Sequence, residues 1–241
     1  AGSFNRGFVS IAFIHFKSVL VQETHMQRSL LITEIYKSVQ GEGAYAGWPC
    51  SFVRLTGCPL RCRWCDTVYG FHGGERRSFD EILAELDRLG CPLVEITGGE
   101  PLAQPETPAL IETLIQLGYK VMIETSGSEP IEHLHPATHI IMDLKCPDSG
   151  MEDRNLYENL SHLKPSDEIK FVIASRKDFD WARDRVRTGD LDQHFQVLFS
   201  SAFGLVKPAD LVEWILDAGL HRVRLNLQQH KYIWHPRAKG V

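Results

Sequence analysis

Short apolar runs rich in β-branched residues alternate with amphipathic helical segments along most of this chain. That alternation restricts the fold more than any other feature. Strand-like runs fall at 30–36, 50–56, 93–96, 120–123, 139–142, 168–173, 195–199 and 222–227. Between them, a helix is expected to open on the Ser78/Glu81 capping box, carry Ile82, Leu83, Leu86 and Leu89 on one face, and stop at Gly90. Further helices are expected at 109–117, 153–163, 178–187 and 208–218, the last with Pro208 at its start and Gly219 at its stop. Strand and helix alternating about six times predict a parallel sheet with helices outside it. Right-handed connections let such a sheet curl. A complete eightfold barrel takes about 250 residues. This chain has 241, part of which is spent on a long cysteine-bearing loop and a dissimilar leader. The expectation is an α/β fold: an incomplete, parallel β/α barrel with helices outside, in one domain over 26–241.

The polar residues are placed to match. A cysteine loop at 58–65, then Thr97–Glu100, Glu124–Gly127, Asp143–Lys145, Ser200 with Ser201, and Gln228–Lys231 each follow a strand-like run. In parallel α/β folds the carboxyl ends of the strands share one face, and active sites are built there. Six clusters on that face predict one pocket.

Composition narrows the class. Hydrophobic residues make up 43% and charged residues 24%, as in an ordinary globular protein. A net charge of −5 gives no global attraction to nucleic acid. Six clustered cysteines point to a reducing compartment, such as the cytoplasm, and to a metal rather than a disulfide scaffold. The first 25 residues differ from the rest. Their apolar run at 7–14 is broken by His15 and Lys17 and is too short to span a membrane. They are expected to be an appended or upstream-translated leader, with Met26 as the natural start.

Cys58, Cys62 and Cys65 are spaced C-x3-C-x2-C. Three thiolates in a tight loop are one short of the four that close a cubane iron–sulfur cluster, so one iron would stay open for chemistry. A zinc site completed by His72 or Cys91 is the alternative for the same residues. Trp64, inside the loop, would pack and also shield a centre from water. Cys50, Cys91 and Cys146 are expected to be structural. Arg61, Arg63, Arg76 and Arg77 flank the loop as a solvated face or as a docking patch for an acidic partner.

The cysteine loop followed by Asp66 resembles the cluster loop of the radical S-adenosylmethionine enzymes. With Gln40–Gly43 (QGEG), Arg54, Thr97–Glu100 (TGGE), Glu124–Gly127 (ETSG) and Gln228–Lys231 (QQHK), the chain is similar, from about residue 31 onward, to the 7-carboxy-7-deazaguanine synthase (QueE) family. The resemblance implies a [4Fe–4S] cluster on Cys58, Cys62 and Cys65. It implies S-adenosylmethionine against Trp64, Asp66, Gly98, Gly99, Glu100, Glu124, Ser126, Asp143, Lys145 and Ser200, and Mg²⁺ on Thr67. Substrate would meet Val39, Gln40, Gly41, Glu42, Arg54, Thr97, Gln228 and His230. The implied reaction turns 6-carboxy-5,6,7,8-tetrahydropterin into 7-carboxy-7-deazaguanine with loss of ammonia, on the route to queuosine and other 7-deazapurines. A homodimer and an electron donor such as flavodoxin are implied, with no nucleic-acid or membrane partner.

The chain departs from the family pattern in places. Asp143-Leu144-Lys145 stands where many members have Ser-Pro-Lys, Phe199-Ser200-Ser201 where many have Gln-Pro, and residues 232–241 extend past the QQHK segment. A glycyl-radical activase would share the cysteine loop and TGGE turn but not QGEG, Arg54 and QQHK together. A non-catalytic zinc or iron–sulfur electron-transfer module is the rival from another class.

Overall fold

The computed structural model describes residues 28–241. The leader expected at 1–25 and the start expected at Met26 lie outside the described residues. The described chain builds one nine-stranded sheet: β1 (Ser29–Val39), β2 (Pro49–Leu55), β3 (Glu75–Ser78), β4 (Leu93–Gly98), β5 (Lys120–Thr125), β6 (His139–Asp143), β7 (Glu168–Ile173), β8 (Gln196–Ser201) and β9 (Val223–Asn226). The spatial order is β3-β1-β2-β4-β5-β6-β7-β8-β9. From β2 to β9 all neighbours are parallel. This is the expected partial barrel.

The edge differs from a purely parallel sheet. β1 pairs antiparallel with both β2 and β3. The connection from Val39 to Pro49 is too short for a parallel crossover, which needs a dozen residues or more. The carboxyl end of β1 therefore lies beside the amino end of β2, opposite the cysteine loop.

Helices α1 (Phe79–Leu89), α2 (Thr107–Gln116), α3 (Arg176–Thr188), the short α4 (Leu191–His194) and α5 (Pro208–Asp217) supply most of the outer layer; a last turn, α6 (His230–Ile233), follows β9. In α1 the capping box forms in both directions and Gly90 ends the helix at φ 65°, while Phe79, Ile82 and Leu86 are buried against the sheet. The helix expected at 153–163 does not form. Two 3₁₀ turns, Glu152–Arg154 and Tyr157–His162, stand there instead. Asn155 bonds both ways with the Lys145 backbone, and Asn159 bonds to Ile131, Gly127 and Glu129. Asparagine side chains that hold neighbouring loops compete with helix continuity. Among the described residues no helix is long and apolar enough to cross a membrane.

The two-residue period of the strands sorts the sheet into two faces. Val53, Leu55, Val94, Ile96, Val121, Ile123, Ile169 and Phe171 pack in the main core with the helices. Phe52, Leu93, Met122 and Ile141 form a second, smaller cluster on the other face. One alternation further along β2, β4, β5 and β6, that inner face turns polar, at Arg54, Glu95, Glu124 and Asp143. A cavity lies above this layer.

Candidate active site

The cavity holds about 790 Å³ and is lined by every part of the expected site except two residues. That volume suits a small-molecule pocket of the larger sort. Cys58, Cys62 and Cys65 sit at one wall, free of disulfides and half-buried. Burial pushes all three thiols up. The loop is pinned by its backbone: Cys65 N–H donates to Cys62 O at 3.2 Å and Arg63 N–H to Ser149 O at 3.1 Å. Arg61 folds back onto Cys58 O and Leu60 O, with its guanidinium over Phe71. Against this loop runs Gly99, where a Cβ would meet Gly57 O at 2.3 Å and the Cys58 Cβ at 2.6 Å. Glycine is needed here for close approach. Gly98 is as tight against Leu55 O. Trp64 also lines the cavity.

Glu100 lies behind this wall rather than in it. Its buried carboxylate accepts from Leu102 N–H (3.0 Å), Thr125 Oγ1 (2.9 Å), Ser126 N–H (2.6 Å) and Ser126 Oγ (2.5 Å). Burial pushes its carboxyl up against the pull of those donors. It shapes the turns after β4 and β5, and the cofactor contact expected of it is not placed in the cavity. Ser200 is likewise buried behind the wall, exchanging hydrogen bonds with Asn226 at 3.0 Å. Ser126 and Gly98 do reach the cavity. Asp143 pairs through Oδ2 with Lys145 at 2.9 Å, while its buried Oδ1 has no partner among the described residues. Asp143 and Lys145 both line the cavity.

The opposite end is the floor. The QGEG loop turns from β1 into the inner face. Gly43 N–H donates to Asn226 Oδ1 and Ala44 N–H to Glu168 Oε1. Gly43 takes φ 68°, and a Cβ there would press on the Glu168 carboxylate. Gln40 Oε1 accepts from Glu42 N–H, which orients the amide so that its Nε2 donates to Glu95. Glu42 accepts from Lys170 and Asn226 through Oε2 and from Gln228 through Oε1. Lys170 also contacts Glu124 in a short ion pair. Two carboxylates, the buried Glu42 and the half-buried Glu124, thus share one buried ammonium, with the buried Glu95 carboxyl nearby. Burial, then Glu124 and Glu42, push the Glu95 carboxyl well up. Burial alone would discharge Lys170, but Glu124 and Glu42 hold it charged. Burial also works against the Glu42 carboxylate, yet Lys170 keeps it ionised.

At the mouth, Arg54 Nε bonds to Glu34 Oε1 at 2.8 Å and its Nη2 to the Tyr36 hydroxyl at 3.2 Å. Tyr69 donates to the same Glu34 oxygen. Thr97 stands two residues beyond Glu95 on the same face. Asp66 Oδ1 takes the Thr67 hydroxyl, and Asp66 Oδ2 takes Lys231 at 2.5 Å and Gln228 at 3.3 Å. Desolvation opposes ionisation of Asp66, although nearly half of its side chain faces the open mouth; Lys231 outweighs it and holds the carboxyl far below its usual range. His230 packs over Gly41, where a Cβ would meet Nδ1 at 2.6 Å, and burial lowers its pKa. Val39 and residues 236–241 complete the lining.

Known proteins are similar to this chain in sequence and in fold. The Radical SAM superfamily pattern matches residues 52–148. A 7-carboxy-7-deazaguanine synthase of Koribacter versatilis is 49% identical over 225 residues, covering 87% of this chain and 99% of that protein. The Chlorobaculum tepidum 7-carboxy-7-deazaguanine synthase is 41% identical over 215 residues, covering 88% and 97%. The chain belongs to the 7-carboxy-7-deazaguanine synthase family. The crystal structure of QueE from Escherichia coli superposes with a TM-score of 0.70 at 26% identity, covering 88% of this chain and 98% of that one. Membership carries the radical SAM cofactors, a [4Fe–4S] cluster and S-adenosylmethionine, and the three free thiols fit the cluster. Among the described residues no three His, Cys, Asp or Glu side chains are placed to hold a single metal ion. A cubane asks for something else, one thiolate on each of several irons. Cys91, a candidate zinc ligand, is buried beside Cys50.

The sequence reading missed Glu34, Tyr69, Glu95, Lys170 and Asn226, and gave Lys231 no role of its own. For Glu95 and Lys170 a signal existed. A charge in mid-strand cannot lie on the helix-covered face of a sheet, so it must point inward.

Proposed function

We propose that the protein converts 6-carboxy-5,6,7,8-tetrahydropterin into 7-carboxy-7-deazaguanine with loss of ammonia, as a radical S-adenosylmethionine enzyme. The observation that carries this reading is one cavity with three free thiols at its rim and a dense acceptor cluster at its floor. When bound, the cluster and S-adenosylmethionine supply radical chemistry that side chains cannot perform. The chain's own residues bind, orient and shield. Cys58, Cys62 and Cys65 would hold the cluster, and Gly98, Gly99, Ser126, Asp143 and Lys145 would hold the cofactor. Glu124 faces the cavity while paired to Lys170, so it bounds cofactor and substrate alike.

Glu42, Glu95 and Glu124 offer more acceptors than Lys170 can satisfy, which suits the N–H-rich edge of a pterin. Arg54 has spent two of its five donors on Glu34 and Tyr36, leaving the others for the substrate carboxylate. Thr97, Gln228 and the neutral His230 would border the ring. Thr67 would offer its hydroxyl oxygen to Mg²⁺, a hard ion that prefers oxygen. Exposed Arg61, Arg63 and Arg76 would face an acidic electron donor such as flavodoxin. A homodimer in the cytoplasm completes the reading. A glycyl-radical activase must admit a protein segment; here the QGEG loop closes the floor and Gln228 and Lys231 narrow the mouth against Asp66, which favours a small substrate.

The test is anaerobic reconstitution with iron and sulfide, then incubation with the carboxypterin, S-adenosylmethionine, Mg²⁺ and reductant. About four irons per chain and a deazaguanine product are expected. A fully loaded protein that makes no deazaguanine removes the substrate assignment.

A further inference from the structure

Lys231 is a buried lysine at the cavity, outside the set of residues expected to touch substrate or cofactor. Its ammonium sits 2.5 Å from Asp66 Oδ2 and 5.4 Å from the centre of the Phe203 ring. Asp66 turns its other oxygen, Oδ1, to the Thr67 hydroxyl at 3.0 Å. A hydroxyl has one proton and two lone pairs. When its proton is given to Asp66, both lone pairs are free, and a cation can be met only through a lone pair. A hydroxyl turned the other way would aim its proton at the cation. The acceptor must therefore stay fixed in place, with Oδ1 left open to the hydroxyl.

Lys231 supplies both conditions. It neutralises Asp66 without competing for Oδ1, and Gln228 Nε2 steadies the same Oδ2 at 3.3 Å. The Gln228 amide also reaches Glu42 Oε1 at 3.1 Å, so the segment that carries Lys231 is tied to the floor as well as the rim. Lys231 N–H donates to Gln228 O at 3.0 Å, which fixes the turn from which the side chain projects.

We infer that Lys231 is a positioning residue for a divalent cation: through Asp66 it fixes the Thr67 hydroxyl with its lone pairs toward the cavity. This rests on the reading that Thr67 binds Mg²⁺. Residues that orient a ligand usually matter to metal affinity nearly as much as the ligand does. Lys231→Arg keeps the charge and can restore the contact, whereas Lys231→Met removes it at similar volume.

The experiment titrates Mn²⁺, as a paramagnetic stand-in for Mg²⁺, into the reconstituted protein holding 6-carboxypterin. The oxidised pterin does not turn over, and free Mn²⁺ is read by electron paramagnetic resonance. Lys231→Met is expected to weaken Mn²⁺ binding by on the order of tenfold or more, with Lys231→Arg recovering most of it. Asp66→Asn, at a half-exposed position that does not carry the fold, is expected to weaken it in the same direction. Equal Mn²⁺ affinity in the parent chain, Lys231→Met and Asp66→Asn overturns the positioning role while leaving the cation reading intact. A parent chain with no saturable Mn²⁺ site overturns both. A purely structural lysine would lower the melting temperature and cluster content of Lys231→Met and leave the Mn²⁺ affinity of Asp66→Asn unchanged, which also overturns the proposal.

Discussion

The rim and the floor of the cavity are built in opposite ways. The rim comes from one stretch, Cys58 to Thr67, half-exposed and held by its own backbone turns and by Gly99 beneath it. Its thiols do little for the apoprotein: Leu60 N–H reaches Cys58 Sγ at 3.4 Å, and the Thr67 backbone N–H reaches Cys65. The floor draws Gln40 and Glu42 from the loop after β1, Glu95 from β4, Glu124 from β5, Lys170 from β7 and Asn226 from β9. All but Glu124 are buried. The rim is chemistry mounted on a stable scaffold, whereas the floor is chemistry and scaffold at once. Damage should separate accordingly.

Replacing Cys58, Cys62 or Cys65 with Ala should abolish turnover and cluster loading while leaving the apoprotein's denaturation midpoint almost unchanged. A large loss of apoprotein stability would erase the distinction between the two regions. Lys170→Met should do the reverse first. It leaves Glu42 and Glu124 without their buried cation, which should cost about 3–5 kcal/mol in chemical denaturation. A stability loss within error would show that water already solvates those carboxylates.

Glu95→Gln sharpens the comparison through pH. The Glu95 carboxyl is raised in the folded state by burial, then by Glu124 and Glu42. Its contribution to stability is therefore present below the unfolded carboxyl pKa and is lost as pH rises through the folded value. Glu42, held low by Lys170 against burial, has the opposite sign: its contribution is lost as pH falls. The stability of Glu95→Gln relative to the parent should thus improve toward alkaline pH. A flat difference across pH would mean that Glu95 is already ionised. The smallest effect belongs to the mouth. Asp66→Asn breaks an ion pair of which one partner is half-exposed, and should cost no more than about 1 kcal/mol. A loss as large as that of Lys170→Met would place the mouth with the floor.

What was legible in the sequence follows the same division. The cysteine spacing, the TGGE and ETSG turns and the capped helix α1 are local, and local chemistry decided them: a glycine where only glycine fits, a capping box closing on itself. The alternation of strands and helices also carried the parallel sheet, because each connection is long enough to cross back. The antiparallel edge was fixed by a connection too short for crossover, and the missing helix at 153–163 by two asparagines that bond to distant backbone. The QGEG motif was visible, but not its position at the end opposite the cysteines. Which carboxylates share Lys170, and that Lys231 reaches Asp66, only the tertiary structure decided. Those partners lie tens to more than a hundred residues apart, and a buried charge takes its state from whatever neighbours the fold brings to it.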